Sequence, residues 1–470
     1  MPSVRTLTPK DLVPGRRCRQ SIYSRQGIKL VAAGITLTEG MCRTLGRSRP
    51  DELLFADSIE DLAGHIPLTA VTEPPVGDHA PADIVTSGGI LALEAGQEVE
   101  PHHADAYRFG AFRGPEPKET RRARARRLKV ADELIAERTE SWANLPRRIE
   151  RGVAPLELSE ADQPGWPSLE RLADFRSARV RTLHRLYGRI LAGMPTSIAE
   201  PLVLVDELID KLQRFPARFT QLGLLAPRDP EYLPDHSYST ACLCVAIATR
   251  LRWSLPDIRQ AGLAGLFADV GMMLVSREVR CSDRPLTDVE TNKVFRHTTV
   301  GVVLLDAIEG LPEPVRLAVY QHHERENGAG YPNAIKSAAI HDLSRVVAVA
   351  DAFAAATEPR AYKRRKRPYD ALEELIRLGS ERLYDRVCIR ALVESTGLFP
   401  VGSHVRLNTG DVAIVVGAHA QMVDRPIVSL YRRTLKGLRP DAVIDLAEIK
   451  PWELHVIQAA DPPEALWPAA

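Results

Sequence analysis

Residues 321–332 read Gln-His-His-Glu-Arg-Glu-Asn-Gly-Ala-Gly-Tyr-Pro. Two adjacent imidazoles and a carboxylate (His322, His323 and Glu324) run straight into a turn built from Gly328, Gly330, Tyr331 and Pro332. Consecutive side chains on a helix diverge by about 100°. An amphipathic face therefore takes only one of two neighbouring histidines, and the other needs a polar partner. Two neighbouring metal ions would use both. Glycine in the turn lets backbone approach a ligand closely, and proline stiffens it.

Four further residues have the chemistry of metal ligands. His236, Asp269, His297 and Asp351 precede or follow the histidine pair at intervals of 25 to 33 residues. Asp269 stands inside Leu266-Phe-Ala-Asp-Val-Gly, and Asp351 inside Val347-Ala-Val-Ala-Asp-Ala. Amphipathicity does not put a carboxylate in such runs. Buried carboxylates need a partner, and a cation is a good one. Imidazole and carboxylate together suit borderline transition metals: Mn, Fe, Co, Ni or Zn. The competing reading is that each residue merely caps or hydrogen-bonds within a helical bundle.

The elements that must position these residues can be read from the pattern of the chain. With 470 residues, about two to four domains are expected. Apolar residues make up 44% and charged residues 26%, and the net charge is +1. That composition is ordinary for a globular protein, and its charge points neither to a nucleic-acid polymer nor to a membrane surface. The six cysteines (18, 42, 242, 244, 281 and 388) are scattered, as in a reducing cytoplasm without a disulfide framework. Arg5 and Lys10 are not followed by an apolar run, so no signal peptide is expected. The most apolar window, Ala261–Val275, contains Asp269 and is too short to span a bilayer.

Helical periodicity predicts helices over Leu202–Arg214, Ser237–Arg252, Pro256–Val275, Asp288–Ile308, Glu313–Glu326, Leu343–Ala356, Tyr369–Arg377 and Tyr384–Glu394. Pro256 with Asp257, and Thr287 with Asp288, are helix-start chemistry. The predicted fold is mainly α, with β-rich pieces at both ends. Residues 1–115 form a small α/β or β-rich region, in which 23–38 and 85–100 read as a repeat through Gly27, Ala33 and Gly34 and their counterparts Gly89, Ala95 and Gly96. Residues 116–198 form a helical linker, basic from Arg121 to Lys129. A helical domain covers 199–399. A β appendage follows over 400–455, with strands expected at Ser403–Leu407, Val412–Val416 and Ile427–Tyr431, and 456–470 is read as a tail. A second basic run, Lys363–Arg367, reads as a solvated loop or a source of charge for a phosphate or an acidic partner.

Taken in order, His236, Asp269, His297, His322-His323-Glu324, Gly328-Ala-Gly-Tyr-Pro332 and Val349-Ala-Asp351 resemble the HD-GYP family. This is a branch of the HD metal-dependent phosphohydrolases that hydrolyses the bacterial second messenger cyclic di-GMP. The match covers roughly 230–400. The N-terminal region and the β appendage are also similar to segments that flank this domain in other members. The resemblance implies an HD-type helical bundle holding a site for one or two divalent ions, each Fe, Mn, Ni, Co or Zn. Asp269 would be the bridging, catalytic carboxylate. His236 and Asp351 would complete one ion site, and His297, His322 and His323 the other. Gly328, Gly330, Tyr331 and Pro332 would shape the pocket for cyclic di-GMP or a related cyclic dinucleotide.

The sequence departs from the family pattern where a His-Asp pair and a following lysine are expected: Ala268 precedes Asp269, and Met272 takes the lysine position. At the place of an additional metal-binding glutamate stands Tyr232, next to Glu231. A methyl group cannot coordinate an ion. The main expectation is therefore a degenerate member with weak or no phosphodiesterase activity that binds metal, nucleotide or a signalling protein partner, as a monomer or as a homo-oligomer. The alternatives are an active metal-dependent cyclic di-GMP phosphodiesterase releasing pGpG or GMP, and a non-catalytic helical scaffold.

Overall fold

The computed structural model describes residues 134–463, apart from 153–155, 160–167, 226–231, 283, 359–365 and 435–436, together with short N-terminal pieces at 5–6, 13–18, 21–24, 29–31, 37, 53–56, 84–86, 91–93 and 112–113. The centre of the molecule is helical. Among the described residues, the helices of eight or more residues are α1 (134–143), α2 (Leu169–Leu191), α3 (Ala199–Arg214), α4 (Tyr232–Arg250), α5 (Leu255–Phe267), α6 (Asp288–Phe295), α7 (His297–Leu304), α8 (Glu313–Gln321), α9 (Asp342–Thr357), α10 (Pro368–Ser380) and α11 (Arg386–Thr396). Helix α4 is the axis of the bundle. Its residues 233–249 are buried without a break, as befits a helix that is covered all round, and α5, α9 and α11 pack against it. The helix starts follow local chemistry. Ser254 accepts a hydrogen bond from the Asp257 amide with Pro256 in the first turn, and Thr287 and Glu290 form a capping box.

Three predicted helices end or break earlier than expected, each at a candidate ligand. Pro256–Val275 is interrupted: α5 ends at Phe267, and a 3-10 turn, Val270–Leu274, follows Asp269, whose backbone lies at φ −100°, ψ 12°. The turn packs directly on the start of α7, and a Cβ on Gly271 would fall 2.8 Å from the Gly301 nitrogen and closer still to the His297 carbonyl oxygen. Asp288–Ile308 is divided at Arg296, so His297 opens α7. The predicted Glu313–Glu326 helix stops at Gln321, which leaves His322 as the cap of α8.

Beyond the bundle lies an antiparallel five-stranded sheet whose strands are β1 (His404–Leu407), β2 (Val412–Gly417), β3 (Ile427–Thr434), β4 (Gly437–Asp445) and β5 (Val456–Ala460). Their order in the sheet is β4-β3-β2-β1-β5. Burial alternates along β1 and β2, and Val405, Leu407, Ala413, Val415 and Val428 form an apolar core on one face. The sheet is larger than the sequence suggests. Strand β4 carries Pro440 and sits at an edge, where a missing donor is tolerated. Strand β5 lies in the segment read as a tail.

Two N-terminal hairpins share one pairing scheme. Ile22 faces Val31 and Tyr23 faces Lys29 in the first, and Ile84 faces Leu93 and Val85 faces Leu91 in the second. Each has a third antiparallel strand, Leu53–Ala56 or Phe112–Arg113. Of the predicted repeat, Gly27, Ala33, Gly34, Gly89, Ala95 and Gly96 lie outside the described residues, as do the basic stretch Arg121–Lys129, Glu231 and Lys363–Arg365. Among the described residues, no helix is long and apolar enough to cross a membrane.

Candidate metal centre

The six candidate ligands come together from five separate segments. Potential ligand atoms of Asp269, His297, His322 and His323 lie within 4.8 Å of one another, and so do those of His236, Asp269 and Asp351. Asp269 belongs to both groups and divides its oxygens between them. Its Oδ2 lies 3.5 Å from His236 Nε2, while its Oδ1 lies 3.4 Å from His297 Nε2 and 3.8 Å from His322 Nε2.

Helix ends do the positioning. The His297 Nδ1–H donates to the Val294 carbonyl at 2.5 Å, and the His322 Nδ1–H donates to the Val319 carbonyl at 2.8 Å. Both carbonyls lie one turn back, where a helix end leaves acceptors free. With Nδ1 carrying the proton, each Nε2 is left with a lone pair. These two Nε2 atoms nevertheless face each other at 3.3 Å, beside Asp269 Oδ1. Three acceptors aimed at one point repel unless a cation lies between them, so this donor set fits a metal ion.

The second group has the same logic with a different partner. His236 Nδ1 lies 2.8 Å from Glu358 Oε2, and its Nε2 lies 2.8 Å from Asp351 Oδ1. A cation, either a proton or a metal ion, belongs between Nε2 and the two aspartates. Burial alone would lower the His236 pKa, but the Glu358 and Asp351 carboxylates outweigh it and hold the imidazole well above its ordinary value. Burial likewise works to raise Asp269, and the imidazoles of His322, His297 and His236 together hold it well below the usual carboxylate range. Burial pushes His297 and His323 down, keeping both neutral, as ligands must be. One residue before His236, Asp235 pairs with Arg176 of α2 at 3.1 Å, both side chains being buried. Arg176 also bonds Ser239 Oγ and the Asp235 carbonyl, which fixes the start of α4.

The glycine-rich turn supports the site from behind. Glu324 is not among the clustered groups. Its carboxylate accepts from the amides of Asn333 at 2.7 Å and Ile335 at 3.1 Å, stapling the turn to the end of α8. Gly330 presses on the same backbone, where a Cβ would meet the Arg325 nitrogen at 2.5 Å. Gly328 has φ +83°, and the Tyr331–Pro332 peptide is cis. The Tyr331 ring stacks on Phe295 at 4.0 Å and on His323 at 4.6 Å. Two rings that close cannot share a face, so both faces of Tyr331 are occupied. In this arrangement it braces His323 and has no open face on which to stack a nucleobase.

Both departing residues are apolar members of the main core, with Ala268 at 3% and Met272 at 9% exposure. Glu358, a further partner of the centre that no motif marks, stands seven residues after Asp351, immediately past the end of α9.

Residues 204–387 match the HD domain family. The chain is 32% identical over 300 residues to Cyclic di-GMP phosphodiesterase PA4108 of Pseudomonas aeruginosa, a match that covers 63% of this chain and 72% of that protein. It is 32% identical over 148 residues to the Cyclic di-GMP phosphodiesterase response regulator RpfG of Xanthomonas campestris pv. campestris, covering 31% of this chain and 39% of the relative. A 3'3'-cGAMP-specific phosphodiesterase 1 of Vibrio cholerae is 33% identical over 129 residues, or 27% of this chain and 30% of its own. Paired carboxylates and imidazoles converging from successive helices, together with this similarity, place the chain in the HD-GYP family of HD-domain proteins.

Proposed function

We propose that this protein is a metal-dependent phosphodiesterase that opens cyclic di-GMP or a closely related cyclic dinucleotide. The observation that carries this reading is the division of Asp269, with one oxygen directed to His236 and the other to His297 and His322. That is the disposition of a carboxylate shared by two ions. His236, Asp269 and Asp351 would hold one ion, and Asp269, His297, His322 and His323 the other. Such ions supply Lewis-acid charge at a phosphoryl group and a nucleophile at neutral pH.

The chain's own residues keep the donors in place. Val294 and Val319 carbonyls and the Glu358 carboxylate fix the three imidazoles, and Tyr331, wedged between Phe295 and His323, holds the fourth. In the reaction a water oxygen bonds to phosphorus, the bond from phosphorus to the ribose 3′ oxygen breaks, and that oxygen takes up a proton. The first product is pGpG, and a second cleavage gives GMP.

A second reading, a receptor that binds the nucleotide without turning it over, draws on Ala268 and Met272, which remove one donor and one cation. Three protein ligands suffice for a catalytic ion, and six candidate ligands persist, which favours the enzyme. The test is turnover of cyclic di-GMP and of 3',3'-cGAMP by the purified chain loaded with Mn or Fe. Linear product from the wild type and none from Asp269→Asn is the expected result. Fewer than about one ion per chain together with no product would overturn the proposal.

A further inference from the structure

Resting on the reading of two ion sites, we infer that Glu358 is a positioning residue for the metal centre, holding the His236 imidazole so that its Nε2 is presented to Asp351 and Asp269. Asp351 on α9 and Glu358, the residue that follows the helix, clasp the same ring from its two nitrogens, each at 2.8 Å. Glu358 is buried at 7% exposure and sits where α9 ends. With its carboxylate on Nδ1, a proton is retained there, so that Nε2 is the nitrogen that can exchange its proton for an ion.

The kind of partner matters. His297 and His322 are oriented by neutral carbonyls, whereas His236 has a carboxylate. A charged partner makes an imidazole a stronger donor than a carbonyl does. It stands in the cluster that Ala268 leaves one donor short. Glu358 thus strengthens the ligand that remains, without entering the coordination sphere itself.

The experiment is calorimetric titration of Mn2+ into the metal-free full chain, comparing wild type, Glu358→Ala and Glu358→Gln. The wild type is expected to take up two ions. In Glu358→Ala one of them should bind about 10- to 100-fold more weakly, with the other unchanged. Glu358→Gln keeps an oxygen that can accept from Nδ1–H, and should fall between the two. Thermal melts of the metal-free variants check folding, and the near-isosteric Gln variant carries the test if the Ala variant fails to fold. The inference is overturned if both variants bind two ions as tightly as the wild type. It is equally overturned if the wild type binds a single ion that Glu358→Ala leaves unaffected. A wild type that binds no ion overturns the proposed function along with it, whereas two ions and normal turnover in the variants overturn the Glu358 role alone.

Discussion

Replacing Gly271 with alanine tests the packing that sets the distance between Asp269 and His297. The added Cβ would stand 2.8 Å from the Gly301 nitrogen and closer still to the His297 carbonyl oxygen. Both obstacles are backbone, so no side chain can swing aside. The start of α7 must retreat from the Val270–Leu274 turn by about 1 Å, and overpacking of this kind costs about 1–3 kcal/mol of stability. The same retreat lengthens the 3.4 Å separation of His297 Nε2 from Asp269 Oδ1, whereas ligand distances are tolerant to only about 0.2 Å. A misplacement of about 1 Å at reacting groups costs on the order of 100-fold in rate. The assay has two arms: denaturant unfolding of the metal-free protein, and Mn2+ titration with cyclic di-GMP turnover. The variant should be less stable by that amount, lose affinity for one ion or both, and fall about 100-fold in turnover. A Gly271→Ala protein with wild-type stability, ion binding and rate would refute the claim that this close approach sets the geometry.

Two further outcomes are expected. Ala268→His combined with Met272→Lys introduces a donor and a cation, and an electrostatic contact of that type is worth about 100- to 1,000-fold in rate. Turnover by the double variant should exceed that of the wild type, and the absence of any gain in ion content or rate would sink the assignment of Ala268 to the cluster of His236, Asp269 and Asp351. His341 caps α9 through its ring, accepting from the Leu343 amide, and burial pushes its pKa down to about 4 from the ordinary 6.5. The folded state prefers the neutral ring, so stability should fall as pH drops from about 6.5 to about 4, by roughly 3 kcal/mol at about 1.4 kcal/mol per pH unit. Urea unfolding at both ends of that range, with His341→Asn as a capping substitute, measures it, and an equal acid loss in the variant would show that other groups are responsible.

Much of the centre was legible because burial and polarity conflict in the sequence. Asp269 and Asp351 stand in apolar runs, and one shared site accounts for both. The helix breaks were not legible. Leu266-Phe-Ala before Asp269 and Val-Gly-Met-Met-Leu after it remain apolar throughout, so periodicity continues through a junction that is set by contact with α7, a tertiary effect. Glu358 escaped notice because a glutamate just before Pro359 reads as a solvated helix end, and its burial depends on α4 crossing α9. Strand β4 is masked in the sequence by Pro440, which argues against a central strand but not against an edge.

Placing half of the candidate ligands at helix breaks and ends also bears on how such a chain can change over time. Asp269, His297 and His322 sit at breaks or termini, and Ala268 and Met272 beside them are filled in by the core. The apolar side chains that make the bundle fold are different residues from those that would do chemistry, although both hang on the same helix ends. A mutation can exchange a donor for a methyl group here without unravelling a helix. Substitution at a donor position and substitution in the apolar core can therefore proceed independently of one another at these helix ends.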